Sequence, residues 1–233
     1  MEEVAEVVRR RLGEEESGSL VVLHDVPSLR QVGPMCGISA VAMVAAVDTC
    51  RRAGACLFPG EEVDVVDVWS GPIKAAAVEA GYSVEGEMFV AAELAELALS
   101  VLPLRMEVEH VVWEEVVVLE ERVEEVAGAV EAGGGVLVAY DAAPNHEPEE
   151  KGGHAAHWAL VVGVVRVEDG VWFVVRHGKS SRLGLWGGEA LMASNAQLRE
   201  ARPDRIECGR FRVPGAGLDT VLASQAVFVH HLV

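Results

Sequence analysis

The residues with the clearest chemical potential in this 233-residue chain lie in one stretch, Gln31-Val-Gly-Pro-Met-Cys-Gly-Ile-Ser-Ala-Val-Ala-Met-Val44. Gly33 and Pro34 break regular structure. From Gly37 onward Ile38, Val41, Ala42 and Ala45 recur at helical spacing, which predicts a buried helix with Cys36 at its start. A thiol at a helix N-terminus faces unpaired backbone N–H groups and the positive end of the macrodipole, and both favour the thiolate. Gln31, on the preceding loop, is placed to aim its amide at the group Cys36 would attack and, with the Cys36 N–H, to form an oxyanion hole. The same residues read equally as a structural cysteine in an apolar helix, since free Cys is among the most buried residue types.

A cysteine nucleophile needs a base, and eight histidines compete for that role. His157 is the best placed, because it opens His157-Trp-Ala-Leu-Val-Val-Gly-Val-Val165, a run that otherwise reads as core strand. A nucleophile on a helix followed by a base on a sheet is the order that a papain-like layout requires. Val167-Glu-Asp-Gly170 is a turn signal, so Val171–Arg176 returns as the partner strand and its end comes back beside His157. His177 then is the positional candidate to accept from the imidazole and fix its tautomer. Asn195, in Ser194-Asn-Ala-Gln-Leu198, has the more usual chemistry for that role but no spacing argument. His154 and His157 lie three apart, but no Cys or carboxylate cluster supports a metal, and a strand would turn them to opposite faces. Neither metal nor cofactor is expected. Asp141–Pro148 reads as a polar connector or one rim of the cleft.

The positioning elements follow from periodicity. Residues 2–12 set Val4, Val7, Val8 and Leu12 against Glu and Arg as an amphipathic helix, and Glu14–Ser19 is a polar linker. Ser19–His24 reads as a strand, and the Cys36 helix runs to Arg51-Arg52. Residues 61–80 carry a weaker helical pattern; Ala91–Leu99 is helical and stopped by Pro103. Val108–Leu119 reads as a strand, and Leu119–Glu131 as a helix ended by Gly133-Gly-Gly135. Beyond it Val136–Tyr140, His157–Val165, Val171–Arg176 and Ala226–Val233 are β-rich. The segregation of helices and strands predicts an α+β fold, a helical N-terminal half packed on a mainly antiparallel sheet from the C-terminal half. The expected organisation is one domain over 1–233: N-terminal helix and linker 1–18, mainly helical lobe 19–132, mainly strand lobe 133–233.

Composition narrows the partners. Hydrophobic residues make up 51% of the chain and mean hydropathy is +0.26, so a globular core is expected. Acidic residues outnumber basic ones 37 to 19, for a formal charge of −18, which repels polyanions at long range. Nucleic acid and anionic membrane are therefore not expected partners. Cys36, Cys50, Cys56 and Cys208 form neither a disulfide framework nor a zinc spacing. The N-terminus has no apolar signal core, and a cytoplasmic protein with reduced thiols is expected.

Six segments together carry a resemblance: Gln31-Val-Gly-Pro-Met-Cys-Gly37, Gly81-Tyr-Ser-Val-Glu-Gly-Glu-Met-Phe89, Asn145-His-Glu-Pro148, His157-Trp-Ala159, Gly178-Lys-Ser180, and Ser194-Asn195 with Gln197-Leu198. In this order they resemble the actin maturation protease family, eukaryotic papain-like cysteine peptidases. The resemblance implies a cytosolic enzyme that removes the N-acetylated first residue (Met or Cys) of immature actin, with Cys36 as nucleophile, His157 as base and Gln31 in the oxyanion position. Family members often carry a proline-rich N-terminal extension thought to recruit profilin; residues 1–18 contain no proline, so profilin does not follow as a partner. They also tend to have Gln before Gly-Lys-Ser, where this chain has His177. Because mature actin begins with acidic residues, Lys179, Arg182 and Arg30 are expected to form a basic patch at the site. The competing readings are a Cys/His acyltransferase, a leader-peptide peptidase on the same fold, and an actin-binding module without turnover. The acyltransferase would want a carboxylate near His157, and no Asp stands at the return-strand position.

Overall fold

The structure, a computed structural model, describes residues 2–13, 20–53 and 70–232. The elements run α1 (Glu2–Leu12), β1 (Leu20–Leu23), α2 (Cys36–Ala53), α3 (Gly71–Glu79), α4 (Ala91–Val101), β2 (Glu107–Val112), α5 (Leu119–Glu131), β3 (Gly135–Ala142), β4 (Pro148–Glu149), β5 (Ala156–Val167), β6 (Gly170–Arg176), β7 (Gly184–Gly187), α6 (Gly188–Ala196), α7 (Pro203–Glu207) and β8 (Gln225–His230). The expected linker at Glu14–Ser19, the first part of the 61–80 pattern and Cys56 lie outside the described residues. The rest of that pattern is α3.

The α+β class read from the sequence is the one observed. Eight strands form one sheet in the order β2-β8-β3-β5-β6-β7, with β1 paired to β5 and β4 to β3. Every pairing is antiparallel. The sheet is covered on both faces. Leu137, Ala139, Trp158, Leu160 and Val162 join the core under α2 and α4. Val136, Val138, Tyr140, Ala159 and Val161 join a second core under α5 and α6. A strand buried on both faces has no polar side to alternate with, so β3 is buried throughout and runs without a charged residue from Gly135 to Tyr140, Asp141 being the exception near its end. The first three turns of α2 are likewise buried nearly all round, with Ile38, Val41, Ala42, Met43 and Val44 fully buried.

Two features differ from the sequence expectation. The strand read as Val108–Leu119 ends at Val112. After it Trp113 N–H donates to Ser224 O and a turn closes with Val117 N–H on Glu114 O. Helices α6 and α7, in the half expected to be mainly strand, were not among the expected elements, whereas β1 and β2 fall where strands were expected in the mainly helical half. Two signals behave as expected. Leu102, ahead of Pro103, adopts extended backbone and ends α4, and Val167 pairs with Gly170 across a two-residue hairpin loop.

Candidate active site

Cys36 is the first residue of α2, and α2 packs its opening turn unusually close to the sheet. A Cβ on Gly37 would sit 3.0 Å from Met88 Cβ and 3.1 Å from Trp158 Cδ1, so this approach needs a residue without a side chain. Trp158 Nε1 donates to Met88 O at 2.8 Å, which ties the wall beside Cys36 to the strand that carries the base. His157, immediately before Trp158, pairs across the sheet with Tyr140. The rings of His157 and Tyr140 meet edge-on with centroids 5.7 Å apart.

Cys36, His157 and Gln31 are brought together. They line one cleft of about 270 Å³, with Gly33, Pro34, His154, Lys179, Arg202 and Arg205 also in its wall. On its inner side Cys36 borders a chamber of about 10 Å³, room for roughly one water. The open approach to the sulfur is therefore the cleft. Gln31 is held there by its backbone, whose N–H donates to Gly178 O at 2.8 Å. Gly178 has to be glycine, because a Cβ would lie 2.8 Å from Gln31 Oε1 and 2.9 Å from its Cβ. The Gln31 amide turns back on its own loop, donating from Nε2 to Gly33 O at 2.8 Å, so one amide hydrogen is committed and one remains.

Electrostatics correct the thiolate expectation. Burial pushes the Cys36 thiol up. Hydrogen bonds from the Trp158 and Gly37 N–H groups, and the charges of Arg205 and Lys179, pull it down without reversing the direction. The residue as a whole is only half-buried, but its sulfur is deep, and a desolvated thiolate loses more than one helix terminus returns. Burial also holds His157 well below the ordinary imidazole range, helped by the charges of Lys179, His177, His146 and Arg205. At neutral pH the resting pair is thiol and neutral imidazole.

The orienting residue expected from sequence is not found in either candidate. His157 Nε2 is buried and has no hydrogen-bond partner among the described residues, so neither His177 nor Asn195 bonds to it. The His177 ring does stand beside it, centroids 5.8 Å apart and nearly perpendicular. However, His177 Nδ1 accepts from Lys179 N–H at 3.3 Å, which leaves the neutral ring a donor, not an acceptor, at Nε2. Burial, then His146 and the Lys179 and Arg176 charges, lowers His177 to about 4. Asn195 instead ties α6 to the sheet, donating to Ala139 O at 2.8 Å and Gln225 O at 3.1 Å.

The basic patch is also differently composed. Lys179 lines the cleft, whereas Arg182 lines a neighbouring cavity. Arg30 is exposed on the loop before Gln31 and lines neither. Their places are taken by Arg202 and Arg205 at α7, a short helix started by Pro203 that sequence reading passed over. Arg205 lies over the Phe89 and Phe211 rings at 5.9 and 5.7 Å. Asp141, expected in a polar connector or one rim of the cleft, instead organises a loop. Its buried carboxylate accepts from Lys151 N–H (2.9 Å), Gly153 N–H (2.7 Å), Ala155 N–H (2.8 Å) and Gln197 Nε2 (2.9 Å). That cage fixes the loop running into His157. The sequence signal was an Asp at a strand end, followed by Gly152-Gly153.

A cysteine and a histidine on opposed elements, facing one cleft, are equipped for acyl transfer. Residues 26–165, more than half of the chain, match the family described as actin maturation protease-like, C-terminal domain. The chain belongs to this family. It is 33% identical over 201 residues to the actin maturation protease of Drosophila melanogaster, covering 84% of this chain and 64% of that one. It is 31% identical over 232 residues to that of Xenopus tropicalis (87% and 70%) and 29% identical over 252 residues to that of Homo sapiens (88% and 64%). The chain thus spans about two thirds of the length of these relatives. Among solved structures, a C39-like peptidase from Bacillus anthracis aligns with a TM-score of 0.47 at 13% identity, over 90% of this chain and 96% of that one. Among the described residues no helix is long and apolar enough to cross a membrane.

Proposed function

We propose that this member of the actin maturation protease-like family is a cysteine peptidase. It hydrolyses the peptide bond after the N-acetylated first residue, Met or Cys, of immature actin through a thioester on Cys36. The observation that carries the reading is the cleft itself: it holds Cys36 and His157 together, and none of the described residues lining it is Asp or Glu. An ordinary aminopeptidase site needs a carboxylate for the substrate ammonium. An acetylated N-terminus has no ammonium, and a cleft edged by Lys179 and Arg205, with Arg202 already paired to Asp204, suits an acidic chain beyond the scissile bond. The relatives' name supplies actin.

In the proposed cycle the Cys36 thiol passes its proton to His157 as the sulfur attacks the first residue's carbonyl carbon. The Cys36 N–H and the uncommitted Gln31 amide hydrogen hold the oxyanion, each worth on the order of 3 kcal/mol in the transition state. His157 returns the proton to the departing amine, the C–N bond breaks, and the acetylated residue stays on sulfur as a thioester. Water, deprotonated by His157, then attacks the thioester carbonyl, the C–S bond breaks, and the sulfur takes the proton back from His157 as the acetylated residue leaves. On this reading residues 1–233 act as one peptidase domain, supported by a single sheet that draws β1 and β2 from the first half of the chain. The reading further makes this a cytoplasmic enzyme without a cofactor. The test is mass spectrometry of immature actin incubated with wild type and with Cys36→Ala. Loss of the acetylated first residue with the wild type alone supports the reading. Intact actin with both rejects it, and stable binding without cleavage would favour an actin-binding module.

A further inference from the structure

The Asn145-His146-Glu147-Pro148 segment takes no part in the chemistry above, yet it is held in an unusual conformation. His146 has φ +71°, the left-handed region where a side-chain-bearing residue is strained, and such strain concentrates at functional sites. Its carbonyl accepts from Tyr140 Oη at 3.0 Å, and its ring stands edge-on to His177 with centroids 5.2 Å apart. Glu147 pairs with Arg11 of α1, Oε1 to Nη1 at 3.0 Å and Oε2 to Nη2 at 3.2 Å, while the Arg11 guanidinium lies 5.9 Å over the Trp172 ring. An element 136 residues away is thereby fastened to this loop.

Between them opens a cavity of about 390 Å³, larger than the cleft, whose walls include Arg10, Arg11, Arg182, His146 and His177. Glu147 is the one carboxylate among its described lining residues, and Arg11 already neutralises it. Arg10 and Arg182 are left as a net positive field on a chain that carries −18 overall. The cavity and the cleft also share a wall, the turn 177–180: Lys179 faces the cleft, while His177 and Ser180 face the cavity.

We propose that this cavity is a second recognition site, which takes a short acidic stretch of polypeptide. Guanidinium groups match carboxylates with paired N–H donors and, unlike ammonium groups, hold them with fixed geometry. A volume near the lower end of ordinary ligand pockets admits a few side chains. A long polyanion meets the repulsion of the whole chain, whereas a short acidic segment meets mainly the local field. Resting on the peptidase reading, the segment is the part of the substrate that leaves the cleft across Lys179.

The probe is a fluorescein-labelled peptide with a run of Asp, titrated by anisotropy into the full Cys36→Ala chain, beside the same peptide with Asn at those positions. The Asp peptide is expected to bind at least about tenfold more tightly than the Asn peptide and to weaken as salt rises from about 50 to about 200 mM. The Arg10→Glu/Arg182→Glu double variant is expected to lose at least about tenfold for the Asp peptide alone, and Arg10→Lys/Arg182→Lys to lose less. A thermal melt checks that the variants fold. Equal binding of the two peptides, no change in the Glu double variant, displacement of the peptide by millimolar inorganic phosphate, or tighter binding of a single-stranded oligonucleotide would each overturn the proposal. Because the assay needs no turnover, selective binding without any cleavage by wild type rejects the peptidase reading and leaves the groove standing. Cleavage with unselective binding does the reverse.

Discussion

Glu87 and Asp141 are both buried carboxylates that organise a loop, and they serve opposite halves of the site. Glu87 accepts from Ser83 Oγ (3.0 Å), Val84 N–H (3.0 Å), Glu85 N–H (2.7 Å) and, from 125 residues away, Arg212 N–H (2.8 Å). Its loop ends in Met88 and Phe89, the wall against which the Cys36 helix packs. Burial works to raise Glu87, but the N–H groups of Arg212, Val84 and Glu85 outweigh it and hold the carboxyl below its ordinary value. Asp141 cages the loop that runs directly into His157. One carboxylate thus shapes the surroundings of the sulfur, and the other sets the position of the imidazole. A change on the Asp141 side should alter catalysis, whereas a change on the Glu87 side should alter access to the thiol.

The largest effect is expected from Asp141→Asn, which turns an N–H₂ toward groups that already donate. About 2 kcal/mol of stability should be lost. A shift of His157 by even about 1 Å should lower kcat on the order of a hundredfold with little change in KM. The alkylation rate of Cys36 should stay as in the wild type. Accelerated alkylation with unchanged kcat would break the comparison.

Next in size is the pH dependence of that alkylation, followed by iodoacetamide and peptide mapping so that exposed Cys208 is read separately. With the thiol raised and His157 neutral, the Cys36 rate should climb about tenfold per pH unit between pH 6 and 8, as thiolate is drawn from a small population. A plateau down to acid pH would mean a preformed thiolate–imidazolium pair.

The smallest effect is expected from Glu87→Gln. The wild-type Glu87 contribution is present above pH 4.5 and is lost as pH falls through its lowered folded value. The variant should melt a few degrees lower at neutral pH, converge with the wild type in acid, and alkylate faster at Cys36. His177 adds a separate acid loss in both proteins. Its folded value of about 4 against an ordinary 6.5 means the unfolded chain binds the extra proton, so about 3 kcal/mol drains away as pH falls from 6.5 toward 4. A melting difference between Glu87→Gln and wild type that persists at low pH would show that the cage is not electrostatic.

The same contrast explains what was legible in the sequence. Helix α2, helix α5 and the β5–β6 hairpin are written in local periodicity and turn residues, and all appear as read; Cys36 and His157 line one cleft. The end of β2 was not legible, because Trp113 and Val117 follow a strand-like composition into a turn set by Ser224 and Glu114. The thiol's protonation was misread because the helix N-terminus is a local signal, whereas burial by Met88 and Trp158 is a tertiary one. Asp141, Glu87 and Arg205 act through loops that fold back from distant parts of the chain. The missing partner of His157 Nε2 depends on where the 177–180 turn places its ring nitrogens, and no spacing rule gives that.

The central claim is that Cys36 carries the acyl group during turnover. Acid-quenched intact-mass analysis of the chain, taken during cleavage of an acetyl-Met-Asp peptide, tests it directly. The account predicts a transient adduct with the mass of the acetyl-Met acyl group, mapped to Cys36 and absent from Cys36→Ala. Product formation at the wild-type rate by Cys36→Ala, or an adduct mapped to any other residue, would contradict it.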